Sequence, residues 1–459
     1  MLKLTKTSLT YDDTPILKDI SIDLPNGSFN LLVGPSGSGK STLMKVIAGM
    51  IPTLADHVTI NQQNLAGLPA YKRAGFVGLL FQDPDTQFAM STPWEEIIFT
   101  LENLKVAPSE MTERANYALD FVNGSQFSHQ SFDTLSGGEK QKVALAIMVA
   151  MQSKVLLLDE PFASIDITSR QEILKQLKKL QMNGVTILVT DHDYSGYADL
   201  VDDVFSFNQQ HIQKINNLNA FFDQPSQVDY QFKQPQESQS VLKLNQFKLS
   251  VGSRTLIDIS FFALAHSGIT LFSGSNGSGK STLFNAITRL KPYQGQIMYL
   301  NQDISKIKLN TYAKKVALIF QSAEKQFMKM TVSEELALSQ KHTQHPNLWT
   351  NEAIESALTT LQLNHLKDHI VYQLSGGQKK KLQVLLLLII GTPVLLLDEP
   401  LAGLDSQSII TVLSLIKQTI VETQQRIIII SHQLNGVLDF IDYHIVLQNN
   451  MLTFTETST

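Results

Sequence analysis

The sequence predicts an α/β protein built from two tandem copies of one domain, each around a mostly parallel core sheet. Three observations carry this. A glycine-rich stretch occurs twice, as Gly34-Pro35-Ser36-Gly37-Ser38-Gly39-Lys40-Ser41-Thr42 and as Gly274-Ser275-Asn276-Gly277-Ser278-Gly279-Lys280-Ser281-Thr282. The residues around the two copies keep step: Lys40 and Lys280 stand 240 positions apart, and Gln82 with Gln321, Asp159 with Asp398, and His192 with His432 keep nearly that offset. Each half also holds an identical Val-Leu-Leu-Leu-Asp-Glu-Pro run, at 155–161 and 394–400, whose unbroken apolar part suits a central parallel strand covered on both faces.

The elements follow in order. Residues 2–10 and 16–24 alternate as strands around the Asp12-Asp13 turn, with Tyr11 beside it. Apolar runs at 29–33 and 269–272 precede the glycine loops, and helix-like runs at 43–48 and 283–287 follow them. Strand-like stretches at 76–81 and 316–320 lead into Gln82 and Gln321, and residues 95–130 and 334–370 read as helical. Leu-Ser-Gly-Gly-Glu at 135–139 and Leu-Ser-Gly-Gly-Gln at 374–378 each open a nearly all-apolar helix, which must be buried on most sides. Further apolar strands end at His192 and His432. The expected domains are 1–220 and 240–459, joined by a polar, Gln-rich linker over 221–239.

A chain of 459 residues is too long for one core, and the repeat makes the number of domains two. With 43% apolar residues both halves can bury substantial cores, and a net charge of −5 argues against a protein that coats nucleic acid. The absence of cysteine excludes disulfides, thiolate zinc sites and iron–sulfur clusters. The first residues lack the apolar core of a signal peptide, and the most membrane-like stretch, 382–397, is interrupted by Gln383 and by Gly391-Thr392-Pro393. No segment is expected to span a bilayer, so a partner would bring the chain to a membrane.

Strand, glycine loop and helix are the context a P-loop needs. Its glycines let backbone N–H groups approach phosphates, Lys40 and Lys280 reach the β- and γ-phosphates, and Ser41 and Ser281 ligate Mg²⁺. Asp159 and Asp398, at carboxyl ends of core strands, can hold Mg²⁺ through water, with Gln82 and Gln321 completing the metal shell or orienting a water. Glu160 and Glu399 can orient or deprotonate the attacking water, and His192 and His432 can contact the γ-phosphate. Ser136-Gly137-Gly138-Glu139 and Ser375-Gly376-Gly377-Gln378 fit a capping box. Two glycines in a first helical turn cost about 1 kcal/mol each against alanine, which points to a close neighbour there, a phosphate being the simplest.

Together these residues resemble the nucleotide-binding domain of ABC ATPases, over nearly the whole chain twice. Walker A, glutamine loop, signature, Walker B with its glutamate, the Asp166 and Asp405 loops and the switch histidine recur in order in each half. The resemblance implies an antiparallel β subdomain and a helical subdomain beside each core sheet, Mg²⁺-dependent ATP hydrolysis, and head-to-tail pairing of the two domains within the chain. One site would join the first P-loop with Ser375–Gln378, and the other the second P-loop with Ser136–Glu139. Tyr11 matches the aromatic that stacks on adenine, and the equivalent stretch 249–252 offers none.

Gln82-Asp83-Pro84-Asp85-Thr86-Gln87-Phe88 is similar to a segment of energy-coupling-factor importers, the bacterial vitamin and transition-metal uptake systems; the second copy keeps Gln321, Glu324, Gln326 and Phe327. By that likeness Asp83, Asp85, Gln87, Phe88, Glu324, Gln326 and Phe327 face arginine-bearing helices of a transmembrane coupling subunit. A small membrane substrate-binding subunit completes the expected assembly at the cytoplasmic face of the cell membrane, with no nucleic acid. The alternatives are the fused ATPase of a sugar-type importer and a soluble ABC translation factor acting on ribosomes.

Overall fold

A computed structural model describes the chain except residues 12–13, 36, 52–53, 55–56, 163–164, 223–229, 235, 237–239, 253, 265–266, 432–435 and 458–459, and the side chains of Tyr11, Thr14 and Ile167. The described chain divides into two compact units, Met1–Ser226 and Gln227–Thr459.

In the first unit β1 (Leu2–Tyr11), β2 (Thr14–Leu24), β4 (Val58–Ile60) and β5 (Gln63–Asn64) form an antiparallel sheet in the order β2-β1-β4-β5. The core sheet runs β10-β9-β3-β8-β7-β6, from β3 (Phe29–Val33), β6 (Val77–Leu80), β7 (Val155–Asp159), β8 (Thr186–Thr190), β9 (Asp203–Asn208) and β10 (His211–Lys214). It is parallel except for the β9–β10 hairpin. Strand β7 is buried throughout because both faces are covered. Leu156 and Leu158 pack with helices α3 (Pro93–Asn103), α4 (Pro108–Phe121), α5 (Gly137–Met151) and α6 (Ile167–Met182), whereas Val155 and Leu157 pack with α1 (Lys40–Ile47) and the antiparallel sheet. Helix α2 (Ala70–Ala74) is a single turn before β6.

The expected helical stretch 95–130 is broken. Lys105 adopts a left-handed φ of 59° and Pro108 opens α4, so the chain turns between α3 and α4. Helix α7 (Leu218–Phe222) closes the unit, with Phe221 against Tyr194 at 5.1 Å between ring centroids.

The second unit repeats the plan. Its antiparallel sheet is β12-β11-β14-β15, from β11 (Leu242–Val251), β12 (Arg254–Leu264), β14 (Gln294–Tyr299) and β15 (Gln302–Asp303). Its core sheet is β16-β17-β18-β13-β19-β20, from β13 (Gly268–Gly274), β16 (Val316–Ile319), β17 (Val394–Asp398), β18 (Arg426–Ile430), β19 (Tyr443–Gln448) and β20 (Met451–Thr455). Helices α8 (Lys280–Ile287), α9 (Leu309–Tyr312), α10 (Val332–Lys341), α11 (Asn351–Thr360), α12 (Gly376–Ile390) and α13 (Ser406–Thr423) take the places of those in the first unit. As their sequences require, α5 and α12 are buried on nearly all sides after the first turn.

Much of the expected linker lies outside the described residues. Before Ser240, Phe232 packs into the second core and Lys233 pairs with Asp442 at 2.6 Å. No helix among the described residues is long and apolar enough to cross a membrane.

Candidate nucleotide site

Each glycine loop leaves the carboxyl end of a core strand and feeds the first turn of a helix. At Gly34 a Cβ would lie 2.1 Å from the carbonyl oxygen of Phe207, and at Gly274 one would lie 2.6 Å from that of Leu447. Gly39 and Gly279 cap α1 and α8 at φ 109° and 112°, conformations open to glycine, and no side chain caps either helix. A helix start that no side chain caps is a place where main-chain N–H groups bind anions. Lys40 Nζ bends back to donate to the carbonyls of Gly34 and Pro35 at 2.8 and 2.9 Å, and Lys280 Nζ donates to those of Gly274 and Ser275 at 2.7 and 3.0 Å. Ser38 Oγ and Ser278 Oγ are buried without a hydrogen-bond partner. Two buried hydroxyls lacking partners at equivalent places fit a phosphate that would supply acceptors.

Asp159 sits beside the first loop, bonded to Ser41 and, at 2.7 Å, to Thr190 Oγ1. Burial raises its carboxyl above the usual range and the Glu160 charge adds to this, against Ser41, Thr190 and Lys40. Asp398 is raised by burial too, against its bond from Ser281 at 3.1 Å and the Lys380 and Lys280 charges. A dication would reverse that penalty, so the serine–aspartate pairs fit Mg²⁺.

Glu160 and Glu399 both have φ 50°, a left-handed conformation costly for a non-glycine residue. In the first unit the Glu160 carboxylate is held on both sides: Gln82 Nε2 donates to Oε2 at 2.9 Å, and His192 Nε2 lies 3.0 Å from Oε1. The structure therefore brings Lys40, Ser41, Gln82, Asp159, Glu160 and His192 to one edge of the sheet. In the second unit Lys280, Ser281, Asp398 and Glu399 come together in the same way, whereas His432 lies outside the described residues, as do Ser36 and the Tyr11 side chain.

Both capping boxes are formed: Ser136 and Ser375 accept from the N–H groups of Glu139 and Gln378, whose side chains accept from the serine N–H groups. The expectation that the signature glycines need an outside neighbour is corrected in part. A Cβ on Gly377 would meet Leu404 Cδ2 at 3.2 Å, so this glycine already has a packing reason within its own unit.

The segments after the glutamines form short 3₁₀ turns, Pro84–Thr86 and Ala323–Lys325. Asp83 and Asp85 are exposed, and Asp85 pairs with Lys140 of α5 at 2.7 Å; Glu324 pairs likewise with Lys379 of α12. Four of the residues expected to face a partner turn inward instead. Gln87 and Gln326 reach back to the main chain at the end of the preceding strand, accepting from the N–H of Phe81 and Phe320 and donating to the carbonyls of Leu79 and Leu318; Phe88 stacks on Phe132 at 4.0 Å, and Phe327 is buried.

Two features of the site escaped the sequence. Arg170 on α6 is buried between Phe162 and Tyr197, pairs with Asp193 at 2.7 Å and Asp191 at 3.3 Å, and so ties down both neighbours of His192. The aspartates flanking His192 were the available signal. The other is Lys380, buried at the start of α12, with Nζ donating to the carbonyl of Gln321. Burial pulls its ammonium down to about 8, with Glu399 and Asp398 opposing.

The model of the ABC transporter family matches residues 17–163 and 258–402. The chain is similar to YkoD of Bacillus subtilis, named as an HMP/thiamine import ATP-binding protein, with 31% identity over 99% of this chain and 91% of that protein. A Treponema denticola protein named as an ABC transporter ATP-binding protein is 28% identical over 95% of this chain and 93% of its own. Among solved structures, an archaeal ribosome recycling factor, aABCE1, in complex with stalk protein aP1 shares the fold at TM-score 0.64 and 19% identity, covering 96% of this chain and 87% of that one. With a matching fold, P-loops that fit phosphate and relatives aligned from end to end, this chain is a member of the ABC transporter family, an ATP-binding ATPase of two tandem domains that uses ATP with Mg²⁺.

Proposed function

We propose that the chain is the energy-coupling ATPase of a membrane importer of the energy-coupling-factor type, serving uptake of a vitamin, its precursor or a transition-metal ion. The observation that carries this reading is the end-to-end similarity to YkoD, whose name assigns it to HMP/thiamine import. The exposed acidic residues Asp83, Asp85 and Glu324 add to it, since they suit the arginines of a transmembrane coupling subunit. A small membrane substrate-binding subunit would complete the complex at the cytoplasmic face of the membrane.

In this reading the loops 34–42 and 274–282 hold the triphosphate through main-chain N–H groups and the hydroxyls of Ser38 and Ser278. Lys40 and Lys280 exchange their carbonyl partners for phosphate oxygens. Ser41, Gln82 and Asp159 hold Mg²⁺ in the first site, and Ser281, Gln321 and Asp398 in the second. Bound there, the ion would supply positive charge against the phosphates. Glu160 and Glu399 accept a proton as water oxygen bonds the γ-phosphorus and the bond to the β-phosphate oxygen breaks, releasing ADP and phosphate. His192 and Gln82 aim Glu160, and His432 serves the second site. Signature segments Ser136–Glu139 and Ser375–Gln378 each close on the nucleotide of the other domain, and Tyr11 stacks on adenine. Closure and reopening of that sandwich would drive the membrane subunits between states.

Affinity purification from gently solubilised native membranes, followed by mass spectrometry, tests this. A multi-helix membrane protein with short arginine motifs plus a small hydrophobic subunit is the expected result. Ribosomal proteins, or no membrane partner, would overturn it.

A further inference from the structure

Besides its P-loop lysine, the carboxylate pair of the second site has a buried cation acting on it, Lys380, where the first unit has the neutral Gln141. Counting from the signature serines, Lys380 occupies the position of Gln141. Both side chains are buried, at 8% and 2% exposure. Gln141 Nε2 donates to the carbonyl of Glu160 at 3.3 Å. Lys380 Nζ donates to the carbonyl of Gln321, and its charge acts on Glu399 and Asp398. The P-loop and acidic residues of the two sites correspond, Lys40 with Lys280, Ser41 with Ser281, Asp159 with Asp398 and Glu160 with Glu399, whereas Thr190, bonded to Asp159, has Ile430 in its place. Lys380 adds one positive charge to the second site, and because the side chain is buried its interactions are weakly screened.

We propose that Lys380 is a positioning residue that makes the two nucleotide sites unequal, by offsetting the charge of Asp398 and Glu399 and tethering the Gln321 loop to them. A buried cation whose charge acts on these carboxylates competes electrostatically with Mg²⁺ for them. The second site therefore binds Mg²⁺ more weakly and turns over more slowly. This rests on the proposed roles of Asp398 and Glu399. It goes beyond them in assigning the asymmetry to a residue outside the recurring motifs.

The test uses the full chain carrying Lys40→Ala, which confines tight nucleotide binding to the second P-loop. Mn²⁺ affinity is measured by electron paramagnetic resonance with a non-hydrolysable ATP analogue, beside the Mg²⁺ dependence of turnover. Lys380→Gln should tighten Mn²⁺ binding by about tenfold, the order expected for one nearby, partly screened charge. It should lower the Mg²⁺ requirement in parallel, whereas Lys380→Arg keeps the parent behaviour. The reciprocal change, Gln141→Lys in a Lys280→Ala chain, should weaken Mn²⁺ binding at the first site by a similar factor. It decides the matter where Lys380→Gln does not fold. A purely structural tether would change thermal stability and leave Mn²⁺ affinity alone in both directions, which overturns the proposal. Asp398→Asn separates the two levels. Loss of Mn²⁺ binding there, with none of the expected shifts from Lys380→Gln or Gln141→Lys, sinks the Lys380 inference by itself. Unchanged Mn²⁺ binding in Asp398→Asn sinks the metal assignment as well.

Discussion

Arg170 shows how one side chain can hold a reactive loop in shape. It reaches from α6 to Asp191 and Asp193 on either side of His192, and its guanidinium lies between two aromatic rings. Arg170→Ala would leave Asp191, 7% exposed, without its buried cation. Removing one partner of a buried pair costs roughly 3–5 kcal/mol. Chemical denaturation of the full chain should show the first unit weakened by that order, with ATP turnover at the first site falling as His192 loses its support. The second unit has Ile409 at the corresponding position, so Ile409→Ala should cost only the packing of a buried aliphatic side chain. The aspartates beside His192 were visible in the sequence, but not the arginine that reaches them from 21 and 23 residues away. Ion pairs across that separation carry no periodicity to read.

Among elements, the P-loop helices were the most legible, because their glycines are demanded by backbone geometry. Gly279 caps α8 at φ 112°, and a Cβ there would lie 2.9 Å from Leu256 Cβ. Gly279→Ala should therefore destabilise the second unit by about 1–2 kcal/mol and abolish nucleotide binding at that loop, measured by titration calorimetry in a Lys40→Ala background. The central strands and the signature helices were equally readable, since continuous apolar runs have few alternative places. The helical subdomains were less so. Their spacing suggested single helices, yet Lys105 and Pro108 turn the chain between α3 and α4. The glutamine segments were misjudged for another reason. Gln87 and Gln326 look like surface residues until their amides are seen reaching back to the end of the preceding strand. Lys380 was hidden in the same way, because a lysine near the start of a helix ordinarily reaches water.

At the scale of the whole molecule, duplication does not make the two units alike in acid. In the second unit Asp442 accepts from Lys233 at 2.6 Å, from Lys417 at 3.0 Å and from the N–H of Ile269 at 3.0 Å. Burial alone would raise its carboxyl, but these bonds hold it below the usual aspartate range. A depressed carboxylate contributes stability that is full above its unfolded pKa, near 3.8, and is lost as pH falls through the lower folded value. Calorimetric scans stepped below pH 4 should show the second unit losing stability in that window, and Asp442→Asn should be less stable at neutral pH and flatter against acid. The left-handed glutamates set a further limit on the molecule. Glu160 keeps a bulky, charged side chain where the backbone would favour glycine and where its charge raises Asp159. Glu160→Gly should therefore raise the melting temperature of its unit by about 2–4 °C, as expected for roughly 1 kcal/mol in a domain of this size, while ending turnover there. Selection for thermal robustness alone would disfavour this residue, so under the proposed mechanism its presence in both halves would measure how far folding is compromised for the reaction.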